Sequence, residues 1–203
     1  MKGKEATRER ILSAALEVFA SKGYHRAIVD DIVRASGTSK GAVYHHFPNK
    51  EALFQALVDD FSARLAAAVT AAISARHGAL AKVESALSAV LETFADHRDL
   101  ARLLMLEAVA LGATWEAKRA EVHARFATLI RGYLDDAVAD GAIPPLDTRV
   151  ATLAWLGAVN EVVVHWLATP GSPTPKDMIP VLTSLLLRSI GPIIPVVPSD
   201  PRP

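Results

Sequence analysis

Apolar residues recur at helical spacing along most of the chain. Ile11, Leu12, Ala15, Leu16, Val18 and Phe19 share a face behind Thr7, a candidate N-cap, and Gly23 stands where a left-handed C-cap belongs. A short second helix is expected over about residues 29–35, stopped by Gly37. A third is expected from residue 40 to about 46, capped by Ser39 and ended by Pro48. Asn49 caps a fourth, which carries Leu53, Phe54, Leu57, Val58, Phe61 and Leu65 and fades near Gly78. Periodic stretches follow over about residues 80–96, 99–110 and 114–140, then 148–168 behind Asp147. The stretch 176–190 is announced by Thr174, Pro175 and Asp177, which are cap, first-turn proline and an acid at a helix start. The connections at 141–145 and 169–175 are rich in Pro and Gly, and no alternating strand pattern extends beyond a few residues. The expectation is an all-α fold of about nine helices.

Two segments need separate reading. Residues 150–168 approach the minimum length for a membrane span, but Asn160, Glu161 and His165 lie inside, so a helix buried in a core or subunit interface is expected. The tail, residues 191–203, has too many prolines for a helix or central strand and is expected to be disordered.

Composition narrows the function classes. Of the 203 residues, 51% are hydrophobic and 22% charged, which excludes a disordered or fibrous chain. The absence of cysteine excludes a disulfide scaffold, a thiolate metal site, an iron–sulfur cluster and a cysteine nucleophile. Nothing near the start reads as a signal peptide, so a cytoplasmic protein is expected. A net charge of zero hides an asymmetry. Residues 1–50 hold nine Lys/Arg and five Asp/Glu, a net of +4, whereas the remaining 153 hold 13 and 17, a net of −4. One end of the chain is therefore suited to a polyanion.

The chemistry concentrates in residues 23–54. Two short helices joined by Ser36-Gly37-Thr38 form a helix-turn-helix unit, whose second helix enters a major groove. Gly37 suits the turn because it accepts positive φ, and Gly41 leaves the first turn of the second helix bare for close approach. Ile32, Val33, Val43 and Phe47 supply an inward face. Lys40, Tyr44, His45 and Lys50 form an outward polar and aromatic face near helix N-termini, where phosphate is favoured.

Five blocks within this stretch carry a family resemblance: Gly23-Tyr24, Val29-Asp30-Asp31-Ile32, Ala35-Ser36-Gly37-Thr38-Ser39-Lys40-Gly41, Tyr44-His45-His46-Phe47 and Asn49-Lys50-Glu51-Ala52-Leu53. In this order and spacing they resemble the DNA-binding domain of the TetR (tetracycline-repressor) family of bacterial transcription regulators. Ile11, Ala14, Ala15 and Phe19 match its first helix. The resemblance implies that Ser39, Lys40 and Gly41 approach bases and phosphates, that Tyr44 and His45 hold the DNA backbone, and that Lys50 neutralises a phosphate, with Thr38 close by. The family usually places hydroxyl residues ahead of its second helix. Here Ala27 and Ile28 stand there, so that cap must come from elsewhere; His25 or Arg26 could substitute in contacting phosphate.

The remainder is then the sensor and dimeriser. The expected division is a DNA-binding unit over residues 1–50, a ligand-binding and dimerisation unit over 51–190 with 51–75 connecting, and the tail. The resemblance places a homodimer interface on helices 148–168 and 176–190, carrying Val150, Leu153, Leu156, Val159, Val163, Leu167, Met178, Val181, Leu182, Leu185 and Leu186. Phe94, Met105, Trp115, Phe126, Leu129, Tyr133, Trp155, Asn160 and Trp166 are candidates for an apolar pocket. Glu107, His123, Asn160, Glu161 and His165 are candidates to orient a head group. The expected function is a ligand-responsive repressor that binds a palindromic operator as a dimer and is released by a small hydrophobic effector. Two alternatives are a DNA-binding regulator without small-molecule control and a helical enzyme built on Asp136/Asp140, Glu92/Asp96 or Glu161/His165. No nucleophile elbow or phosphate loop accompanies those pairs. The adjacent His45 and His46 do not share a helix face as metal ligands would, and neither metal nor cofactor is expected.

Overall fold

The computed structural model describes residues 2–108 and 112–191. Among them are nine α-helices and no strand. Helix α1 (Lys2–Lys22) buries Ile11, Leu12, Ala15 and Phe19. It begins before the expected cap: Thr7 lies inside it, its hydroxyl donating to the Gly3 carbonyl one turn back at 2.9 Å, the bond of a helix-interior threonine, whereas a cap oxygen accepts a backbone N–H. Gly23 closes α1 at φ +76°, its N–H donating to the Phe19 carbonyl at 2.8 Å.

Helix α2 (Val29–Ser36), a turn at Gly37 (φ +61°) and α3 (Lys40–His46) make the helix-turn-helix. Ser39 Oγ accepts the Ala42 N–H at 3.1 Å as the α3 cap. No side chain at Ile28 takes the place of the missing hydroxyl ahead of α2, and the half of a capping box that remains comes from within the helix. The buried Asp31 carboxylate reaches back to accept the Ile28 N–H at 3.3 Å. Lys22 of α1 lies 2.8 Å from the same carboxylate, and Arg34 pairs with it too, so one acid caps α2 and ties it to α1.

Helix α4 (Lys50–Ser74), capped by Asn49 through the Ala52 N–H at 2.7 Å, runs out of this unit into the rest of the chain. It packs along α5 (Ala79–Asp96), which in turn packs on α9 (Pro175–Ser189). The helix expected over 99–110 divides: α6 (Arg98–Arg102) touches α1, and Leu103–Glu107 continues as a π-helical turn. Helices α7 (Ala113–Ala139) and α8 (Thr148–Ala168) pair, and α9 closes the bundle behind the expected Thr174/Asp177 capping box. The expected disordered tail, residues 191–203, lies outside the described residues except Gly191.

Helix α8 has the length and apolarity to cross a membrane, yet Trp155, Val163, Trp166 and Leu167 are buried against its own chain. The stripe expected to form a subunit interface is split by the fold. Val163, Leu167, Leu182 and Leu186 pack into the core, while Val150, Leu153, Val181 and Leu185 are 56–71% exposed. A helix apolar on two sides shows one periodicity, and only packing reveals which side faces inward.

The hydrogen bond from Lys22, helped by the Ile28 N–H and the charges of Lys22 and Arg34 and opposed by burial, holds the Asp31 carboxyl below the usual carboxylate range. A depressed folded-state pKa stabilises above the unfolded value of about 3.9 and is lost as pH falls through the folded one. Asp31→Asn should therefore melt lower than the wild type at neutral pH. That gap should close as melting is followed below about pH 4.

Candidate nucleic-acid interface and internal cavity

The sequence-predicted contact residues fall on one surface. Ser39, Lys40 and Gly41 are exposed at the start of α3, with Tyr44 (43% exposed) and His45 one turn on and Thr38 half-buried at the edge. Thr38 and Ser36 share a hydrogen bond of 2.8 Å across the turn. A Cβ on Gly41 would meet nothing nearer than Ser39 Oγ at 4.0 Å, so nothing in the chain itself requires that bare backbone. Lys40 Nζ lies 2.8 Å from Asp30 of α2, an exposed pair that a phosphate can replace.

Lys50 departs from its expected role. Its ammonium donates to the carbonyls of Tyr24 (2.8 Å), Ala27 (3.0 Å) and His25 (3.3 Å) and sits 4.4 Å from the centre of the Tyr24 ring. Its three donors are used inside the DNA-free chain, where it clamps the α1–α2 turn to the start of α4. Burial pushes its pKa below the ordinary lysine value. Arg26, a possible substitute contact, donates from Nε to the Lys22 carbonyl at 2.8 Å.

A cavity of about 930 Å³ opens between α4, α5, α7 and α8. Eight of the nine pocket candidates, Phe94, Met105, Trp115, Phe126, Leu129, Tyr133, Trp155 and Asn160, lie in its wall. Of the others, His123 lines it, whereas Trp166, Glu107, Glu161 and His165 do not. Trp166 is buried beneath the Arg98 guanidinium, 5.1 Å from its ring centre. Glu161 and His165 stand exposed on α8, with no hydrogen bond between them among the described residues. Burial, and secondarily Arg119, holds His123 below the usual histidine range and favours its neutral form.

Sequence reading missed the α4 wall and, apart from Phe94, the α5 wall. Val58, Phe61, Leu65, Val69 and Ile73 line the cavity along one side of α4, about 22 Å of helix at 1.5 Å per residue. Their spacing was visible, but a stripe facing a cavity and one facing a packed core repeat identically. The N-terminal end of α4 joins an aromatic series. Trp115 in the cavity wall meets Phe54 edge-on at 5.8 Å, and Phe54 meets Tyr24 at 5.3 Å and Phe19 at 6.2 Å. Helix α7 is also pinned to α4 by Lys118 and Asp59 at 2.6 Å.

A helix-turn-helix joined by one helix to an apolar cavity agrees with the comparisons. The sequence pattern described as "Bacterial regulatory proteins, tetR family" matches residues 11–57, and "Tetracyclin repressor-like, C-terminal domain" matches 76–190, more than half the chain. The chain belongs to the TetR family. Its relatives include the fatty acid metabolism regulator protein of Bacillus subtilis, 27% identical over 82% of this chain and 87% of that protein. The transcriptional regulator SrpR of Pseudomonas putida is 30% identical over 80% and 76%. The solved structure of B. subtilis FadR in complex with stearoyl-CoA superposes with a TM-score of 0.79 at 25% identity, covering 90% of this chain and 98% of that one. The protein is thus a TetR-family, ligand-responsive DNA-binding regulator of transcription, and its acidic and histidine pairs are not those of an enzyme. Asp96, for one, is engaged by Lys176 at 2.7 Å.

The clamp role of Lys50 separates it from Lys40 in a measurable way. Lys50→Met should cost about 1–3 kcal/mol of stability and leave the slope of log DNA affinity against log salt unchanged. Lys40→Met should leave the melting temperature unchanged and reduce that slope by about one for each phosphate contact removed.

Proposed function

We propose that this regulator represses transcription from the cytoplasm as a homodimer on a palindromic operator and is released by a ligand carrying a long acyl chain. Residues 1–50 form the DNA-binding unit, with Thr38, Ser39, Lys40, Gly41, Tyr44 and His45 at the groove. Residues 51–190 form the effector and dimer unit, with 51–75 connecting the two.

The observation that carries the effector reading is the shape and lining of the cavity. Its walls run for about 22 Å along α4 and from Trp115 to Asp140 along α7. The middle of the α7 wall is Phe126, Leu129 and Ile130, and polar residues gather towards its two ends. An extended aliphatic chain buries apolar surface along such a cavity, and a compact polar ligand does not. FadR of B. subtilis, bound to stearoyl-CoA, provides a precedent on the same fold.

The dimer reading rests on Val150, Leu153, Val181 and Leu185. With Ile28 and Tyr44 in the DNA-binding unit, these are the large apolar side chains exposed among the described residues. One turn further along α8 from Val150 and Leu153 lie exposed Ala154 and Gly157, where a partner backbone can approach closely, as in the packing of two helices from each subunit into a four-helix face. An apolar patch at a two-fold axis is covered by the same patch of the partner.

Two measurements test this. Hexadecanoyl-CoA should weaken binding to an inverted-repeat DNA from upstream of the protein's own gene by about 10–100-fold. Unchanged affinity at saturation would favour a regulator without small-molecule control. Leu153→Glu combined with Val181→Glu should convert the dimer to monomers by light scattering and abolish operator binding at micromolar protein.

A further inference from the structure

We propose that the indole N–H of Trp115 donates the hydrogen bond that holds the carbonyl oxygen of a bound acyl thioester. The inference rests on the acyl-chain reading above and assigns the atom that fixes the ligand's polar end. Trp115 lies in the cavity wall and is only 6% exposed, yet its Nε1–H has no acceptor among the described residues. A buried N–H is expected to be paired, and one bordering a large cavity has a ligand as its available partner. The other tryptophan of the wall differs: Trp155 donates its Nε1–H to Ser189 Oγ at 3.1 Å. The second unpaired buried group, the Thr183 hydroxyl, lies off the cavity.

Position decides which ligand atom meets this donor. Trp115 stands where the apolar wall gives way to exposed Glu116 and Arg119, which are paired at 2.8 Å. An acyl thioester has the same boundary: its carbonyl separates an aliphatic chain from a polyanionic head group. The opposite end of the α7 wall carries two exposed acids, Asp136 and Asp140, beside which an anionic head group is less favourable than beside the neutral Glu116–Arg119 pair; the other lysine or arginine of the wall, Lys82, stands on α5. The chain therefore runs from Trp115 towards Tyr133, with its head group outside, beside Arg119.

The test is calorimetric titration of the full-length protein with hexadecanoyl-CoA and with hexadecyl-CoA, the thioether that lacks only the carbonyl oxygen. Wild type should prefer the thioester by about tenfold, and Trp115→Phe, which keeps a ring against Phe54, should bind both alike by losing about tenfold for the thioester alone. No wild-type preference, or a preference that survives Trp115→Phe, overturns the proposal. If the wild type binds neither compound, the acyl reading itself falls and this assignment falls with it. Nitrogen-15 spectra of wild type provide a measurement independent of whether that variant folds. The Trp115 indole signal, assigned by elimination with Trp155→Phe and Trp166→Phe, should move downfield with the thioester and not with the thioether. Equal movement with both overturns the assignment.

Discussion

One helix belongs to two cores. The first turns of α4 bury Leu53, Phe54 and Leu57 with Ile11, Phe19, Ile32 and Val43 in the DNA-binding unit, and its later turns form a cavity wall through Phe61, Leu65 and Val69. Close packing at the first end makes the helix rigid there, because a shift of even one methylene's width is felt in a dense interior. The same helix is thus continuous from the helix-turn-helix to the cavity wall, with buried side chains at both.

The junction is reinforced by polar contacts of different kinds. Lys50 grips three carbonyls of the turn that precedes α2, and Asp31 joins α1 to α2 through Lys22 while capping α2. Between these lies the aromatic series Trp115, Phe54 and Tyr24, whose edge-on contacts join cavity wall to DNA-binding core in two steps.

Local signals in the sequence located the helices well. Ser39, Asn49, Asp147 and Thr174 cap the four helices expected of them, because a cap is a bond between a side chain and backbone two or three residues away. Thr7 had the right chemistry but the preceding residues continued the helix. Long-range roles were less legible. Lys50 looks like a surface cation until the Tyr24 carbonyl, 26 residues back, is found beneath it. Of the nine pocket candidates, taken from large side chains on apolar faces and one asparagine among them, eight border the cavity, and the ninth, Trp166, is covered by Arg98. Val163 and Val150 have the same composition and lie on the same helix, and only the neighbours of each distinguish core from exposed face.

The π-helical turn at Leu103–Glu107 has a consequence for how this chain could change over generations. Its wide turn holds one residue more than a regular α-helix would over the same rise, next to the cavity at Leu104 and Met105 and to Gly23 at Glu107. Deleting a single residue there would restore a regular α-helical turn after α6, because the wide turn has already absorbed that residue. Codon loss at this place would therefore be taken up within one turn instead of rotating its neighbours.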